Sequence, residues 1–384
     1  MKKKKGAPVV YIITKLELGG AQKVCLSLFN GLRDNNITSY LITGNDGILT
    51  KEIANQKNVF LLPSLQREIT LKSLYQEVKS LFSMIRLLRK LKKKHPNLIV
   101  HTHSSKAGIL GRWAAFFAHI KKRIHTIHNY GFHDHQKALA WLATYLPELL
   151  TSYITTHYIC VSSENVKTGL RLLPHFARRH TIIRAAVDWK TFYTPARTAQ
   201  TFPAKKDTPF IFGSVACFKP PKNIFDLLNA FAYAYTKNSR IRLEIIGDGT
   251  LRPKIERWIA QHKLDHIITL HGWQDKVAPI MLDWHAFVLS SLWEGLPCAI
   301  VEARLLKLPV LSYKTGGIPD VITHEANGLL FDQQDWHALA QGMLRLAECP
   351  KTHYKLQHHK DNLIDFNDSH MIQEHIALYR QIHS

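Results

Sequence analysis

Short β-rich runs alternate with helical patterns from one end of the chain to the other, and this alternation narrows the choice of fold more than any other feature. Strands separated by helices return by crossovers rather than hairpins, which builds parallel sheets covered on both faces. The runs at 9–13, 39–43, 59–62, 98–103, 124–128, 158–161 and 181–183 form a first strand series. A second series, at 210–216, 242–247, 267–271, 286–290 and 310–313, has the same character. Between them lies TPARTAQTFPAKKDTP (194–209), rich in Pro, Thr and Lys and without apolar periodicity, which reads as a linker. The expectation is an α/β chain of two doubly wound, Rossmann-like domains at 1–195 and 209–365, joined through 196–208. A final helical segment, 366–384, can pack back on either domain and is assigned to the N-terminal one. A chain of 384 residues exceeds what one hydrophobic core usually serves. Two such domains place ligands beside the carboxyl ends of their strands, in a central cleft.

Composition matters mainly through charge. Lys and Arg total 51 against 29 Asp and Glu, a formal net charge of +22, so the surface attracts phosphates, anionic lipid or nucleic acid. Aromatic residues do not interleave with the Lys/Arg clusters, which disfavours nucleic acid. Five cysteines without a C-x-x-C spacing indicate neither zinc nor a disulfide framework and fit a reducing cytoplasm. The basic start, MKKKKGAPVVYIITK, leads into an apolar run that is too short for a signal peptide and lacks its cleavage site. No run reaches the ~18 apolar residues of a membrane span, so membrane contact is expected to be peripheral. The helical pattern at 71–95 has an apolar stripe and a crowded basic end, Arg86, Arg89, Lys90, Lys92, Lys93 and Lys94, before Pro96. It reads as a core-facing helix with cations at the negative end of its dipole, and its exposed cations can still touch an anionic bilayer.

Several short stretches carry chemistry. In LELGGAQKVC, Gly19 and Gly20 stand where a strand turns into a helix, so bare backbone N–H groups can approach a phosphate or a sugar, or the glycines serve the turn alone. No G-x-G-x-x-G fingerprint occurs, which argues against a dehydrogenase. VHTHSSKAG and HTIHNYGFH put His103 and His128 at the carboxyl ends of two strands, without the helical pair or Cys/His set that a metal site needs, so no metal is expected. VACFKPPKN brings Lys219 and Lys222 to the end of the first strand of the second series, beside a position where a leaving diphosphate can be neutralised.

In SSLWEGLPCAIVEARLLKLPV, Glu294 and Glu302 sit in a mostly apolar run, where an ionised carboxylate must be solvated, paired or bonded to a ligand. A loop ends at Pro297, read as the first helical position, and Glu302 follows about five residues into the helix, some 7 Å along its axis. The helix N-terminus between them suits a diphosphate, with a carboxylate near the hydroxyls on either side, the layout of a nucleotide sugar.

The E-x7-E stretch EGLPCAIVE, with the upstream GGA, VHTHSSKAGILGR and ICVSSENV and the later TGGIPDVI and NGLLF, resembles family four of the retaining GT-B glycosyltransferases over nearly the whole chain. The resemblance implies an acceptor-side N-terminal domain and a nucleotide-sugar-binding C-terminal domain. It implies that Glu294 contacts the donor sugar, Glu302 bonds the ribose, and Gly295, Leu296 and Pro297 line the sugar or phosphate with backbone, Pro297 having no N–H to give. His128 maps to the active-site His near the sugar's outer hydroxyl, Gly19 and Gly20 to the early glycine turn, and Lys222 to the phosphate-binding lysine. Two positions depart from the pattern. Cys217 stands where an Arg is usual, with Lys219 able to restore the charge as a flexible ammonium, and Ala185 and Ala186 occupy the place of N-G in N-G-V-D.

The implied activity is transfer of a sugar from a nucleotide diphosphate, UDP being preferred, to a glycan or lipid-linked glycan acceptor, with retention and without cofactor or metal. The alternatives are a sugar-nucleotide epimerase of the same fold, a hydrolase using the two carboxylates, and a basic membrane-binding scaffold. A hydrolase's pair comes from separate elements flanking a bond, unlike this motif. The expected location is cytoplasmic, with peripheral contact at the inner face of the membrane.

Overall fold

The computed structural model describes residues 6–53, 55–65, 71–193, 201–203 and 208–383, without the side chains of 52 and 71–74. Most of the linker reading at 196–208 lies outside the described residues. The chain forms two compact units, one of residues 1–187 with 365–384 and the other of 188–364.

The first unit runs β1 (Val9–Ile12), α1 (Gly20–Asp34), β2 (Ser39–Thr43), α2 (Thr50–Ile53), β3 (Val59–Leu61), α3 (Leu71–Lys94), β4 (Ile99–Thr102), α4 (Ser105–Phe117), β5 (Lys122–Ile127), α5 (Ala138–Ser152), β6 (His157–Cys160), α6 (Ser163–Leu172) and β7 (His180–Ile182). Its seven strands pair in parallel in the order β3-β2-β1-β4-β5-β6-β7. The central strands are covered on both faces, so β1 reads VVYI with every residue buried, as a sandwiched parallel strand must. On one side the core joins Val10, Ile12 and Val100 to Met84 and Leu88 of α3 and to Ala114 and Ala115 of α4.

The second unit runs α7 (Trp189–Phe192), β8 (Phe210–Val215), α8 (Ile224–Lys237), β9 (Ile241–Ile246), α9 (Arg252–Gln261), β10 (Ile268–Gly272), α10 (Ala278–Met281), β11 (Ala286–Leu289), α11 (Cys298–Leu305), β12 (Val310–Tyr313), β13 (Gly328–Phe331), α12 (Trp336–Glu348) and α13 (Pro350–Gln357). Its parallel order, β10-β9-β8-β11-β12-β13, repeats that of the first unit. The sequence reading did not include β13, a four-residue strand that begins with glycine. Gly213 of β8 has no room for a side chain, since a Cβ there would fall 1.8 Å from the indole of the fully buried Trp284.

The last helix, α14 (Asp368–His383), belongs to the first unit. Ile372 occupies the space that a side chain on Gly31 of α1 would need, and the hydroxyls of Tyr379 and Tyr11 lie 3.0 Å apart in the interior. Val187 and Asn367 form a parallel bridge, so the chain leaves the first unit and returns to it side by side. That bridge explains why the units divide at Val187 and Asp188, ahead of the expected boundary at 195.

Candidate functional site

In each unit the strand order reverses direction at one pair of neighbours, β1 and β4 in the first and β8 and β11 in the second. Loops leaving such a pair at its carboxyl ends turn to opposite faces and open a crevice, where doubly wound sheets bind ligands. Gly19, Gly20 and His103 follow β1 and β4; Lys219, Lys222 and Glu294 follow β8 and β11.

In the second unit three loops are fastened to one another. The loop after β8 is anchored by Phe218, fully buried, and ends in a tight turn at Pro220–Lys222 with Asn223 in the left-handed region. Leu292 N–H, in the loop after β11, donates to the Pro221 carbonyl at 2.9 Å, and the Ser290 hydroxyl donates to the Asn223 carbonyl at 2.9 Å. The loop after β12 joins through Thr315 Oγ1 to the Leu292 carbonyl at 2.9 Å and Gly317 N–H to the Gly295 carbonyl at 2.7 Å. Gly316, at φ +54°, lies so close that a Cβ would stand 1.8 Å from the Glu294 carbonyl oxygen. This contact accounts for the first glycine of TGGIPD.

Held by these bonds, Glu294 accepts a hydrogen bond from the ammonium of Lys222. The glutamate side chain is about one-tenth exposed and the lysine one-quarter, so the pair is shielded yet reachable. Gly295, Leu296 and Pro297 are buried behind it. Pro297 is extended, at φ −76° and ψ 105°, and serves as the N-cap of α11 rather than its first helical residue; no side chain caps the first turn. Its Cys298 end therefore presents the positive pole of the helix without a competing side chain. Glu302 is buried on the same helix. Behind it Arg304, fully buried, donates to Asp361 at 2.9 and 2.7 Å, and Asp361 also accepts from Asn327 Nδ2 at 2.7 Å. The Asn of NGLLF thus helps fix the far side of α11, a role that the sequence reading did not assign. Lys219 and Cys217 lie in the same β8 loop, Lys219 immediately before the tight turn.

In the first unit, Gly19 is the extended N-cap of α1 and Gly20 its exposed first residue, again with no side-chain cap. His103 and His128 emerge just past β4 and β5 and are hydrogen-bonded, Nδ1 to Nε2, at 2.9 Å. One proton serves that bond, so two imidazolium rings are incompatible with it. Burial, then the neighbouring histidines His101 and His128, hold His103 well below the ordinary range, while burial, then His375, pushes His128 down to about 3. His101 faces the same side as His103 but is structural, bonded to Tyr379 of α14 at 2.6 Å and to Thr126 at 2.7 Å. Ser104, between His103 and α4, has φ +61° and ψ 151°, a region costly for any residue but glycine. Its hydroxyl lies 2.7 Å from that of Thr14 in the loop after β1. Nothing in the sequence signals this strained position. Ala185 and Ala186 are buried. Among the described residues no group of three His, Cys, Asp or Glu is placed to hold a metal ion.

Known proteins share this architecture. Residues 18–189 match the family model described as Glycosyltransferase Family 4, and residues 197–362 match that of Glycosyl transferases group 1. The chain is 30% identical over 338 residues to the Escherichia coli UDP-Gal:alpha-D-GlcNAc-diphosphoundecaprenol alpha-1,3-galactosyltransferase, covering 86% of this chain and 85% of that one. It is 22% identical to the capsular polysaccharide biosynthesis glycosyltransferase CapM of Staphylococcus aureus, over 82% of each. Among solved structures, HepE of Anabaena in complex with UDP and glucose superposes with a TM-score of 0.74 at 15% identity, over 97% of both chains. Sucrose-phosphate synthase of Thermosynechococcus elongatus does so at 0.76 and 19% identity, over 98% of this chain and 99% of that one.

Proposed function

The chain belongs to the family 4, group 1 glycosyltransferases, and from that premise we propose that it moves a sugar from a UDP-sugar, with retention at the anomeric carbon, to a lipid-linked glycan during synthesis of a cell-surface polysaccharide. The donor and acceptor classes are supported by the E. coli relative, whose name specifies UDP-galactose and a diphosphoundecaprenol-linked sugar. The observation that carries the reading is Lys222 paired with Glu294 beside the uncapped first turn of α11. A carboxylate that will accept a sugar hydroxyl and an ammonium that will meet a phosphate are neutralised by each other until the donor arrives.

When the donor binds, Lys222 moves to the diphosphate and Glu294 accepts from the sugar, while Glu302 accepts from the ribose. As the bond between the anomeric carbon and the phosphate oxygen breaks, negative charge grows on the diphosphate. Lys222, Lys219 and the α11 N-terminus stabilise it, each such group being worth roughly 10²–10³ in rate. The acceptor oxygen bonds the anomeric carbon on the face the phosphate leaves, and its proton passes to the departing phosphate oxygen. His128, neutral at neutral pH, offers hydrogen bonding rather than charge to a substrate hydroxyl. The five cysteines, none of them in a disulfide, support a reducing, cytoplasmic setting.

The test is a thermal-shift series of nucleotide sugars, followed by mass analysis of lipid-linked products. Stabilisation by UDP-sugars and a product heavier than the acceptor by one sugar are expected. Glu294→Ala should abolish transfer in a folded protein; full activity of that variant would overturn the assignment.

A further inference from the structure

The outer face of three helices in the first unit is unusual for a chain so rich in charge. On α5, Leu139, Leu142, Leu146, Leu150 and, one residue past its end, Tyr153 recur at spacings of three and four, on one side of the helix, and all are exposed, Leu139 by 80% and Tyr153 by 60%. Between Lys137 and His157 the single charged residue is Glu148, and it is buried in a two-pronged pair with Arg112. The solvent side of α5 thus carries no charge.

Helix α3 repeats the spacing with a change of character halfway. Tyr75, Val78 and Phe82 are exposed on its outward stripe, and the same stripe continues as Arg86, Arg89 and Lys93, flanked by Lys90 and Lys94. Between the two helices, the exposed Phe116 and Phe117 close α4. Arg89 and Lys92 donate to the carbonyls of Phe117 and His119 at 3.1 and 2.7 Å, which joins the basic end of α3 to these rings. Trp113, in contact with both rings, donates to Thr151 of α5 at 3.0 Å, and the Arg123 guanidinium stands over Phe116 at 5.6 Å. These contacts join α3, α4 and α5, so the apolar stripe of α5, the two phenylalanines and the cationic end of α3 lie on neighbouring helices.

We infer that this α3–α4–α5 face docks on a bilayer containing anionic lipid, α5 and the phenylalanines entering the headgroup boundary while the α3 cations meet phosphates. An apolar face of this extent is uncommon on a monomeric soluble protein. The lipid surface is selected over a protein partner by the combination: an uncharged helix face lying beside a block of cations without acids, on a chain of net charge +22. No helix among the described residues is long and apolar enough to cross a membrane, so the contact lies on the surface. The purpose of docking, access to a lipid-linked acceptor, rests on the proposed glycosyl transfer; the docking itself does not.

The test is flotation of the full chain with vesicles of phosphatidylcholine alone or with about one-third phosphatidylglycerol, in parallel with Leu142→Glu/Leu146→Glu and Arg86→Gln/Lys90→Gln/Lys93→Gln variants. The unaltered protein should float at least ten-fold more with the anionic vesicles. The leucine variant should lose binding to both vesicle types, and the cation variant should lose the preference, with unfolding temperatures unchanged. Transfer to a short-chain, water-soluble acceptor should persist in both variants. Equal flotation of unaltered and variant proteins, or no binding to anionic vesicles, overturns the inference. So does a self-associating protein that the leucine variant makes monomeric without changing flotation. Vesicle binding without any sugar transfer would leave docking intact and reject the enzymatic reading instead.

Discussion

The ammonium of Lys222 donates to the carboxylate of Glu294, a residue 72 positions away in the chain, because β8 and β11 are neighbours in the sheet. Removing the ammonium leaves a carboxylate that is about one-tenth exposed without its donor. Lys222→Met should cost about 1–3 kcal/mol in urea unfolding, and Lys222→Met/Glu294→Gln should recover most of it. Neither variant should release UDP at an appreciable rate. A Lys222→Met protein as stable as the parent would show that the pair holds nothing in place.

Gly316 is the most demanding backbone position near the site. A methyl group there meets the Glu294 carbonyl oxygen, and its φ of +54° disfavours any side chain. Gly316→Ala should lose at least about 2 kcal/mol of stability through strain and collision. Displacing Glu294 by even ~1 Å should lower kcat by roughly a hundred-fold. Melting temperature and turnover measured together check this; a variant with normal turnover would mean the two loops are not rigidly coupled.

Acid should destabilise the first unit through its histidines. His101, His103 and His125 are held well below the ordinary value, His128 at about 3 and His375 at about 4, burial being the largest cause at each. In the unfolded chain they titrate near ~6.5, so below that pH the unfolded state binds protons that the folded state refuses. Stability is therefore full above ~6.5 and falls as pH drops toward the folded values, each histidine contributing up to ~1.4 kcal/mol per pH unit. His375 lies against His101 at 5.7 Å between ring centres, and its Nε2 has no hydrogen-bond partner among the described residues. His375→Gln should reduce the slope of unfolding free energy against pH by about one proton between pH ~6 and ~4.5. An unchanged slope would remove His375 from the group.

The buried pair of Arg112 and Glu148 should be intolerant of half-removal. Glu148→Ala leaves the guanidinium enclosed without its carboxylate and should cost ~3–5 kcal/mol in urea unfolding. Arg112→Met/Glu148→Leu should be far milder than that single change. Equal losses in the two proteins would assign the effect to packing volume instead.

These sites differ in how far the sequence announced them. The strand series and the carboxyl-end placement of His103, His128, Lys222 and Glu294 follow from alternation, because buried parallel strands read as apolar runs. The Lys222–Glu294 contact needs the order of strands, which no local pattern encodes. The histidine group depends on Tyr379 and His375 of α14, contributed from the far end of the chain, and no local pattern shows that meeting. Strand β13 was hidden by its length and its glycine, and the strained Ser104 by a residue type that gives no sign of a positive φ.

The main-chain lacing of the three loops in the second unit has a consequence for how such a protein changes over generations. The bonds from Leu292 to Pro221 and from Gly317 to Gly295 are indifferent to which side chains stand at Cys217, Trp293 or Cys298. Single replacements at these positions should therefore leave intact the scaffold that orients Glu294. Cys217, where the family resemblance implies an arginine, stands outside those two bonds.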